Sequence, residues 1–216
     1  MHAVRRTLLS AAVVAAAFVA GAAPAPAQQT AVLSPARFAA LDSVLFASLA
    51  LDGNPTAPQQ AELRRACDAL DRSDRLLDVT RTTCLTSLQA VAPATAFARC
   101  RTRRGCLLSA RRLRIVLSAT LAASRASNRI VEIELAPGAC RTELRSSRDL
   151  LSALTELRDA LRMLEGGLRA NRRTVVRRAE RRIFLARERL ADQPTAAQSL
   201  EIFRGVCAPA GPLQRA

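Results

Sequence analysis

The chain has 216 residues, of which 50% are hydrophobic and only 3% aromatic, and its formal net charge is +15 at pH 7. Its basic side chains are arginines apart from one histidine, and it contains neither Trp nor Tyr. A chain of this length can bury a sizeable core, and the missing aromatic residues disfavour sequence-specific recognition of nucleic acids or sugars by stacking. The abundance of arginine and alanine also fits a genome rich in their codons, so we discount part of the charge excess.

The first 27 residues have the layout of a secretory signal peptide. Arg5 and Arg6 precede an apolar run over residues 8–20, and small residues follow up to Ala27. The run is shorter than the ~20 residues of a membrane-spanning helix, so we expect cleavage after Ala27 rather than an uncleaved anchor. The exported chain, residues 28–216, then forms a single domain with a loose tail from about residue 209. We expect it to be secreted, or to lie in the periplasm or on the exterior of the cell envelope.

Six cysteines follow the signal peptide: Cys67, Cys84, Cys100, Cys106, Cys140 and Cys207. An even number of cysteines in an exported chain predicts up to three disulfides. Zinc is disfavoured because no Cys-x-x-Cys occurs and the only histidine, His2, lies in the signal peptide. We therefore predict no metal site and no cofactor.

Helical patterns begin at Ser34, a predicted N-cap followed by proline. The next start is a capping box formed by Thr56 and Gln59. Apolar residues at helical spacing over residues 63–91 predict either one helix of about 34 residues or two helices broken near residues 80–83. Pro93 is expected to end this element.

The second half of the chain continues the helical pattern from residue 97 toward residue 131. Residues 131–135 alternate like a strand, but a lone strand has no partner, and we interpret them as a helix end or a linker. Leucines at strict 4-3 spacing over residues 150–168 give the clearest helix, followed by a turn within residues 166–173 and another helix to about residue 190. A second capping box, Thr195 with Gln198, begins the last helix. The fold class predicted is all-α, an antiparallel bundle of five or six helices stapled by disulfides.

Two disulfide schemes are compatible with this order. A hairpin that turns near Pro93 pairs Cys84 with Cys100 and leaves Cys67 to Cys106, although the second pair fits the helical rise poorly. The rival scheme pairs Cys67 with Cys84 and Cys100 with Cys106, and it requires a break inside both segments. We favour the first scheme slightly. Both share the pair Cys140–Cys207.

No catalytic constellation is found. The chain after the signal peptide lacks His, Lys, Tyr and Trp, which removes Ser–His, Cys–His and Schiff-base arrangements. Asp68, Asp71, Asp74 and Asp78 fall along one predicted helix, and we interpret them as a solvated face with intrahelical arginine pairs rather than a cation site. The sequence predicts a protein that is not an enzyme.

Positive charge is concentrated in two segments. Residues 79–131 contain ten arginines and no acid, and residues 169–191 contain nine arginines against two glutamates. Outward basic faces attract anionic partners. The candidate anion contacts are Arg99, Arg101, Arg103, Arg104, Arg111, Arg112, Arg177, Arg178, Arg181 and Arg189.

Three functions are compatible with these features. The first is a structural or interaction role for a helical bundle at or outside the cell envelope, because charge runs are usually solvated faces. The second is electrostatic binding of an anionic polymer, which includes envelope polymers, lipid head groups on a membrane surface and extracellular nucleic acid. The third is inhibition of another protein or service as a subunit of a complex.

Overall fold

The computed structural model describes residues 33–49, 55–134 and 144–208. These residues form seven α-helices and no strand, which confirms the predicted all-α class with one helix more than the upper number expected. The predicted signal peptide and the tail from residue 209 lie outside the described residues. The helices are α1 Pro35–Leu49, α2 Ala57–Asp68, α3 Arg75–Arg99, α4 Arg103–Glu134, α5 Leu144–Arg169, α6 Arg173–Ala191 and α7 Ala196–Cys207.

The predicted helix starts are confirmed by their hydrogen bonds. Ser34 Oγ accepts from the backbone N–H of Arg37 at 3.2 Å, in the first turn of α1. Gln59 Oε1 accepts from the backbone N–H of Thr56 at 2.8 Å before α2. Before α7, Thr195 Oγ1 and Gln198 Oε1 each accept from the other residue's backbone N–H. These side chains satisfy donors that a helix start leaves without partners.

The break between α2 and α3 lies at residues 69–74, not at residues 80–83. Asp74 determines where α3 begins, because its Oδ1 accepts hydrogen bonds from the backbone N–H groups of Leu76 at 2.9 Å and Leu77 at 3.1 Å. Arg37 of α1 donates to the same carboxylate at 2.5 Å. A carboxylate held in this way stabilises the positive end of the helix dipole.

Pro93 does not end the helix as predicted but lies inside α3, which continues to Arg99. A proline within a helix removes the hydrogen bond to the carbonyl four residues earlier, which here belongs to Gln89. Gln89 is exposed, so water can take the place of the missing donor. The tertiary packing of α3 on α4 then outweighs the local cost of the proline.

The later elements largely follow the sequence pattern. Residues 131–134 are the end of α4, so their strand-like alternation is a helix end. The chain reverses between α5 and α6 at residues 170–172, where Asn171 has a φ of 54°. The backbone N–H of Arg172 donates to the carbonyl of Gly167 at 2.9 Å, which closes the helix in the left-handed manner that asparagine tolerates.

The helices α4, α5 and α6 pack antiparallel to their neighbours. Toward the start of α4, Arg114 Nε lies 2.5 Å from Oε1 of Glu165, near the end of α5. Further along α4, Arg125 donates to Thr155 Oγ1 at 3.0 Å, nearer the start of α5. Glu165 is only 4% exposed, and its carboxylate also lies 3.6 Å from Nη2 of Arg169, one turn further along α5.

Two apolar clusters fill the interior. The first, which we name the stapled core, joins α1, α2, the first half of α3, the end of α4 and α7. The second, which we name the leucine core, joins the second half of α3 with α4, α5 and α6. The predicted leucines of α5 belong to this second cluster: Leu150, Leu154, Leu157, Leu161 and Leu164 are buried in it, and Leu168 packs against it.

The disulfides follow the rival scheme. Cys67 is bonded to Cys84, with 6.0 Å between their Cα atoms, and Cys100 is bonded to Cys106, with 5.0 Å between theirs. The favoured pairs Cys84–Cys100 and Cys67–Cys106 were therefore wrong, because the chain does break at residues 69–74 and at residues 100–102. Cys207 is buried and disulfide-bonded.

Cys140, the predicted partner of Cys207, lies outside the described residues. The two disulfides seen are compatible with an oxidising compartment. Among the helices of the described ranges, none has the length and apolarity needed to cross a bilayer.

Candidate anion-binding site

The loop between α3 and α4 is short, covalently closed and basic. Thr102 caps the start of α4. Its Oγ1 accepts a hydrogen bond from the backbone N–H of Gly105 at 3.1 Å, and its carbonyl accepts one from the backbone N–H of Cys106 at 2.8 Å. The Cys100–Cys106 disulfide ties the loop to the first turn of this helix. Four of the predicted anion contacts project here as exposed side chains: Arg99, Arg101, Arg103 and Arg104.

The turn between α5 and α6 carries a second group of exposed arginines: Arg169, Arg172 and Arg173. The left-handed conformation of Asn171 reverses the chain within three residues, so these arginines flank one tight turn. The start of α6 at Arg173 also directs backbone N–H groups and the positive end of the helix dipole toward this turn.

Arg103 joins the two groups. Its Nε donates to the carbonyl of Leu168 at 2.7 Å, and its Nη2 donates to the carbonyl of Arg169 at 3.1 Å. A cation at the carbonyl end of a helix satisfies acceptors that lack intrahelical donors and is favoured by the helix dipole. The contact fixes loop 99–104 against turn 169–173, and we name these two ranges together the basic end.

The charge of the basic end is only partly compensated. Its two ranges contain seven arginines and no acid. The buried carboxylate of Glu165 is bonded to Arg114 and lies 3.6 Å from Nη2 of Arg169, so it offsets one charge of turn 169–173. Glu180 is the one acid lining a cavity of about 320 Å³ beside the basic end, which Arg103, Arg173 and Arg177 also line. Clustered guanidinium groups repel one another, and an anionic partner relieves that repulsion.

The other predicted contacts are spread along two helices. Arg177 lines the cavity beside the basic end, whereas Arg178 and Arg181 are exposed further along α6. Arg111 and Arg112 are exposed on α4. Arg189 was predicted to face outward and to contact an anionic partner. In the structure it forms an ion pair with Glu156 across the α5–α6 interface. The structure thus brings five of the ten predicted residues to one end of the bundle.

The aspartates that were considered as a cation site do not share one helix face. Asp68 pairs with Arg81 at 2.8 Å, and Asp71 lies in the turn after α2, where it accepts from the backbone N–H of Ser73 at 2.9 Å. Asp74 is the cap of α3. Over residues 33–49, 55–134 and 144–208, no group of three or more metal-ligating side chains is found.

Partial burial of the Asp74 carboxyl acts to raise its pKa, but other contacts outweigh this effect. The hydrogen bond and positive charge of Arg37, with the backbone donors of Leu77 and Leu76, hold the pKa of Asp74 below its ordinary value of 3.8. This carboxylate therefore stays ionised at neutral pH as a helix cap.

The anion contacts predicted from the sequence did not include Arg169, Arg172 or Arg173. The signal was present, because they begin the second arginine-rich segment, but only the contact made by Arg103 shows that this turn meets the loop before α4. Comparisons of the chain with family models, curated proteins and solved structures returned no match.

Proposed function

We propose that the chain is an exported, non-enzymatic interaction protein that binds an anionic polymer through its basic end. The observation that carries the proposal is the pair of hydrogen bonds from Arg103 to the carbonyls of Leu168 and Arg169. They combine two separate arginine groups into one surface with no acid of its own. The site of action is at or outside the cell envelope.

The chemistry of arginine favours the binding of a polymer that carries many phosphate or carboxylate groups. A guanidinium remains charged at all physiological pH values and can bind an oxyanion with two parallel hydrogen bonds. Several such groups on a rigid surface engage successive charges of a polymer, and release of its counterions drives binding. The disulfide beside the loop keeps the surface preformed, which lowers the entropic cost of binding.

The placement of the acids supports a role without catalysis. Asp42 pairs with Arg204 at 2.6 Å, and Glu165 is buried against Arg114. Asp68 and Asp74 likewise contact arginines. Carboxylates engaged in this way stabilise helices and their contacts, which is a structural use of the charge.

The signal-peptide pattern and the disulfides support a location beyond the cytoplasm. Disulfides persist in the periplasm, on cell surfaces and in secreted proteins. Anionic envelope polymers, phospholipid head groups and released nucleic acid are all present there, and all offer the negative charges that the basic end requires.

The test is a salt titration of binding to a 20-base-pair DNA duplex of mixed sequence, used as a polyanion of known charge spacing. We expect binding at low salt, with log K falling linearly as log salt rises by about 0.9 for each phosphate contacted. A variant of the basic end, Arg99→Gln with Arg104→Gln, Arg172→Gln and Arg173→Gln, should reduce this slope by about two or more. Arg103 is left intact because it joins the two ranges.

The matched control removes the same charge from the opposite end of the bundle. Arg64, Arg65, Arg72 and Arg75 are exposed on α2, in the following turn and at the start of α3. Their fourfold replacement by glutamine should change the slope much less. If the oxidised protein binds neither the duplex nor phosphatidylglycerol vesicles at low salt, or if both variants weaken binding equally, the proposed function is wrong.

A further inference from the structure

An apolar groove runs along one side of the α3–α4 hairpin. Its volume is about 710 Å³, within the range of about 300–1,000 Å³ typical of small-molecule sites. The groove exists because its α3 wall consists of the small or compact residues Ala92, Pro93 and Ala96. Opposite them, α4 contributes Gly105 and Ser109 at the end nearer the basic end.

The other wall exposes large aliphatic side chains to solvent. Leu108 is 46% exposed and Ile115 is 52% exposed, and both line the groove. They lie seven residues apart on α4, which is about 10.5 Å along one helix face. Exposed apolar side chains that line the same groove offer surface that a ligand can cover.

The groove also carries positive charge without compensation. Arg101 and Arg112 line it, and the groove's lining contains no acid. The whole stretch of residues 79–131 likewise contains no Asp or Glu. Arg101 belongs to loop 99–104, so one end of the groove opens at the basic end. The site therefore combines an apolar groove with two cationic side chains that line it.

We propose that this groove binds a single-chain amphiphile with an anionic head, namely a long-chain alkyl carboxylate or alkyl phosphate. The alkyl chain lies against Leu108, Ile115 and the small residues of α3, and the head group binds Arg101 or Arg112. This inference goes beyond the proposed binding of polymers, because its driving force is burial of an alkyl chain rather than release of counterions.

The lining of the groove favours an amphiphile with an anionic head over the apolar face of a partner helix. The charged side chains that line it, Arg101 and Arg112, are both cations, and no acid lines it. A single anionic head satisfies this charge, and its alkyl chain covers the exposed side chains of Leu108 and Ile115.

The first experiment measures binding of alkyl carboxylates by isothermal titration calorimetry, using oxidised protein and ligand concentrations below the onset of micelles. From decanoate through dodecanoate to tetradecanoate, we expect the affinity to rise at each step, by up to about fifteenfold for two fully buried methylenes. Tetradecyltrimethylammonium, which has the same chain and a cationic head, should bind at least tenfold more weakly than tetradecanoate.

Two pairs of variants locate the ligand. Ala96→Leu fills the groove and should lower the affinity for tetradecanoate at least tenfold, whereas Ala98→Leu, at an exposed α3 position that does not line the groove, should not. Arg112→Gln should weaken binding severalfold, and Arg111→Gln, its exposed neighbour outside the groove, should leave it unchanged. Circular dichroism of each variant monitors folding.

Several outcomes overturn the inference while the proposed function stands. One is an affinity for carboxylates that does not depend on chain length, because binding is then electrostatic only. Another is equal binding of the cationic amphiphile. A third is that Ala96→Leu and Ala98→Leu behave alike. Conversely, loss of DNA binding with retained tetradecanoate binding would remove the proposed function and leave this site in place.

Discussion

The stapled core and the leucine core hold their helices together in different ways. The stapled core depends on short helices, since α2 and α7 each have 12 residues and α1 has 15. The leucine core contains α5 with 26 residues and α6 with 19. A short amphipathic helix buries little apolar surface for the backbone entropy that it loses. Covalent bonds compensate in the stapled core, which contains Cys67, Cys84 and Cys207.

The packing differs as well. In the stapled core the rings of Phe38 and Phe203 stack with centroids 4.9 Å apart, whereas the leucine core has small buried residues such as Ala110, Ala160 and Ala186 between its leucines. Alanines let long helices approach closely and form extended contacts. The leucine core is therefore stabilised by the extended contacts between its long helices. The basic end and the groove both lie on helices of this core.

The largest expected effect on stability comes from removing a disulfide, and it should differ between the two disulfides. Cys67→Ala with Cys84→Ala opens a link across 17 residues and should lower the free energy of unfolding by about 3 kcal/mol. Cys100→Ala with Cys106→Ala opens one across 6 residues and should cost about 2 kcal/mol. Urea unfolding followed by circular dichroism measures both. An equal or larger loss at the loop before α4 would show that the stapled core does not depend on its disulfide as described.

The second prediction concerns the charge buried in the leucine core. Glu165→Ala leaves the guanidinium of Arg114 without its carboxylate and should lower the free energy of unfolding by about 2 kcal/mol. Glu156→Ala removes the more exposed pair with Arg189 and should cost less than about 1 kcal/mol. A double-mutant cycle with Arg114→Ala isolates the pair. Absence of coupling in that cycle argues against the ion pair as the α4–α5 link.

Two adjacent glycines of α5 test how closely it approaches α6. A Cβ at Gly167 would lie 3.0 Å from Cγ2 of Val176 and 3.1 Å from its backbone nitrogen. Gly167→Ala should therefore destabilise the protein by about 1–3 kcal/mol. Gly166 has open space around it, and Gly166→Ala should stabilise the helix by about 0.5–1 kcal/mol. Thermal unfolding measures both, and the same sign for both substitutions would contradict this packing.

The smallest effect lies at the edge of the stapled core. The folded-state pKa of Asp74 is below 3.8, so its contribution to stability is present above about pH 4 and is lost as the pH falls through that lower pKa. Asp74→Asn should cost about 1 kcal/mol at pH 6, and the difference from the natural chain should shrink below pH 4. Urea titrations over this range provide the measurement. A constant difference down to pH 2.5 would exclude the ion pair with Arg37 as its cause.

Patterns within single helices could be predicted from the sequence, whereas contacts between distant segments could not. The leucines of α5 and the capping box at Thr195 are local features, and the structure confirms both. Pro93 and Asp74 misled the prediction, because packing of α3 on α4 tolerates the proline and a bond from Arg37 helps to fix the cap. The favoured disulfide pairs failed for the same reason, since they assumed that a helix ends at Pro93.

The sequence predicted which segments of the candidate site are rich in arginine, but it did not predict that these segments form one surface. The sequence shows two arginine-rich segments, yet their meeting depends on how the guanidinium of Arg103 reaches α5 from 65 residues away in the chain. No periodicity or spacing encodes that contact. The groove was likewise not predicted, because it arises from Ala92 and Ala96 on one helix facing Gly105 on the next.

The central claim is that loop 99–104 and turn 169–173 act as one anion-binding surface. The most direct measurement is the salt slope of duplex binding for two half-variants, Arg99→Gln with Arg104→Gln and Arg172→Gln with Arg173→Gln. If the two ranges contact the same polymer, each half-variant should reduce the slope by about one or more, and their combination should reduce it by about the sum. A slope that responds to only one half-variant would contradict the joint surface.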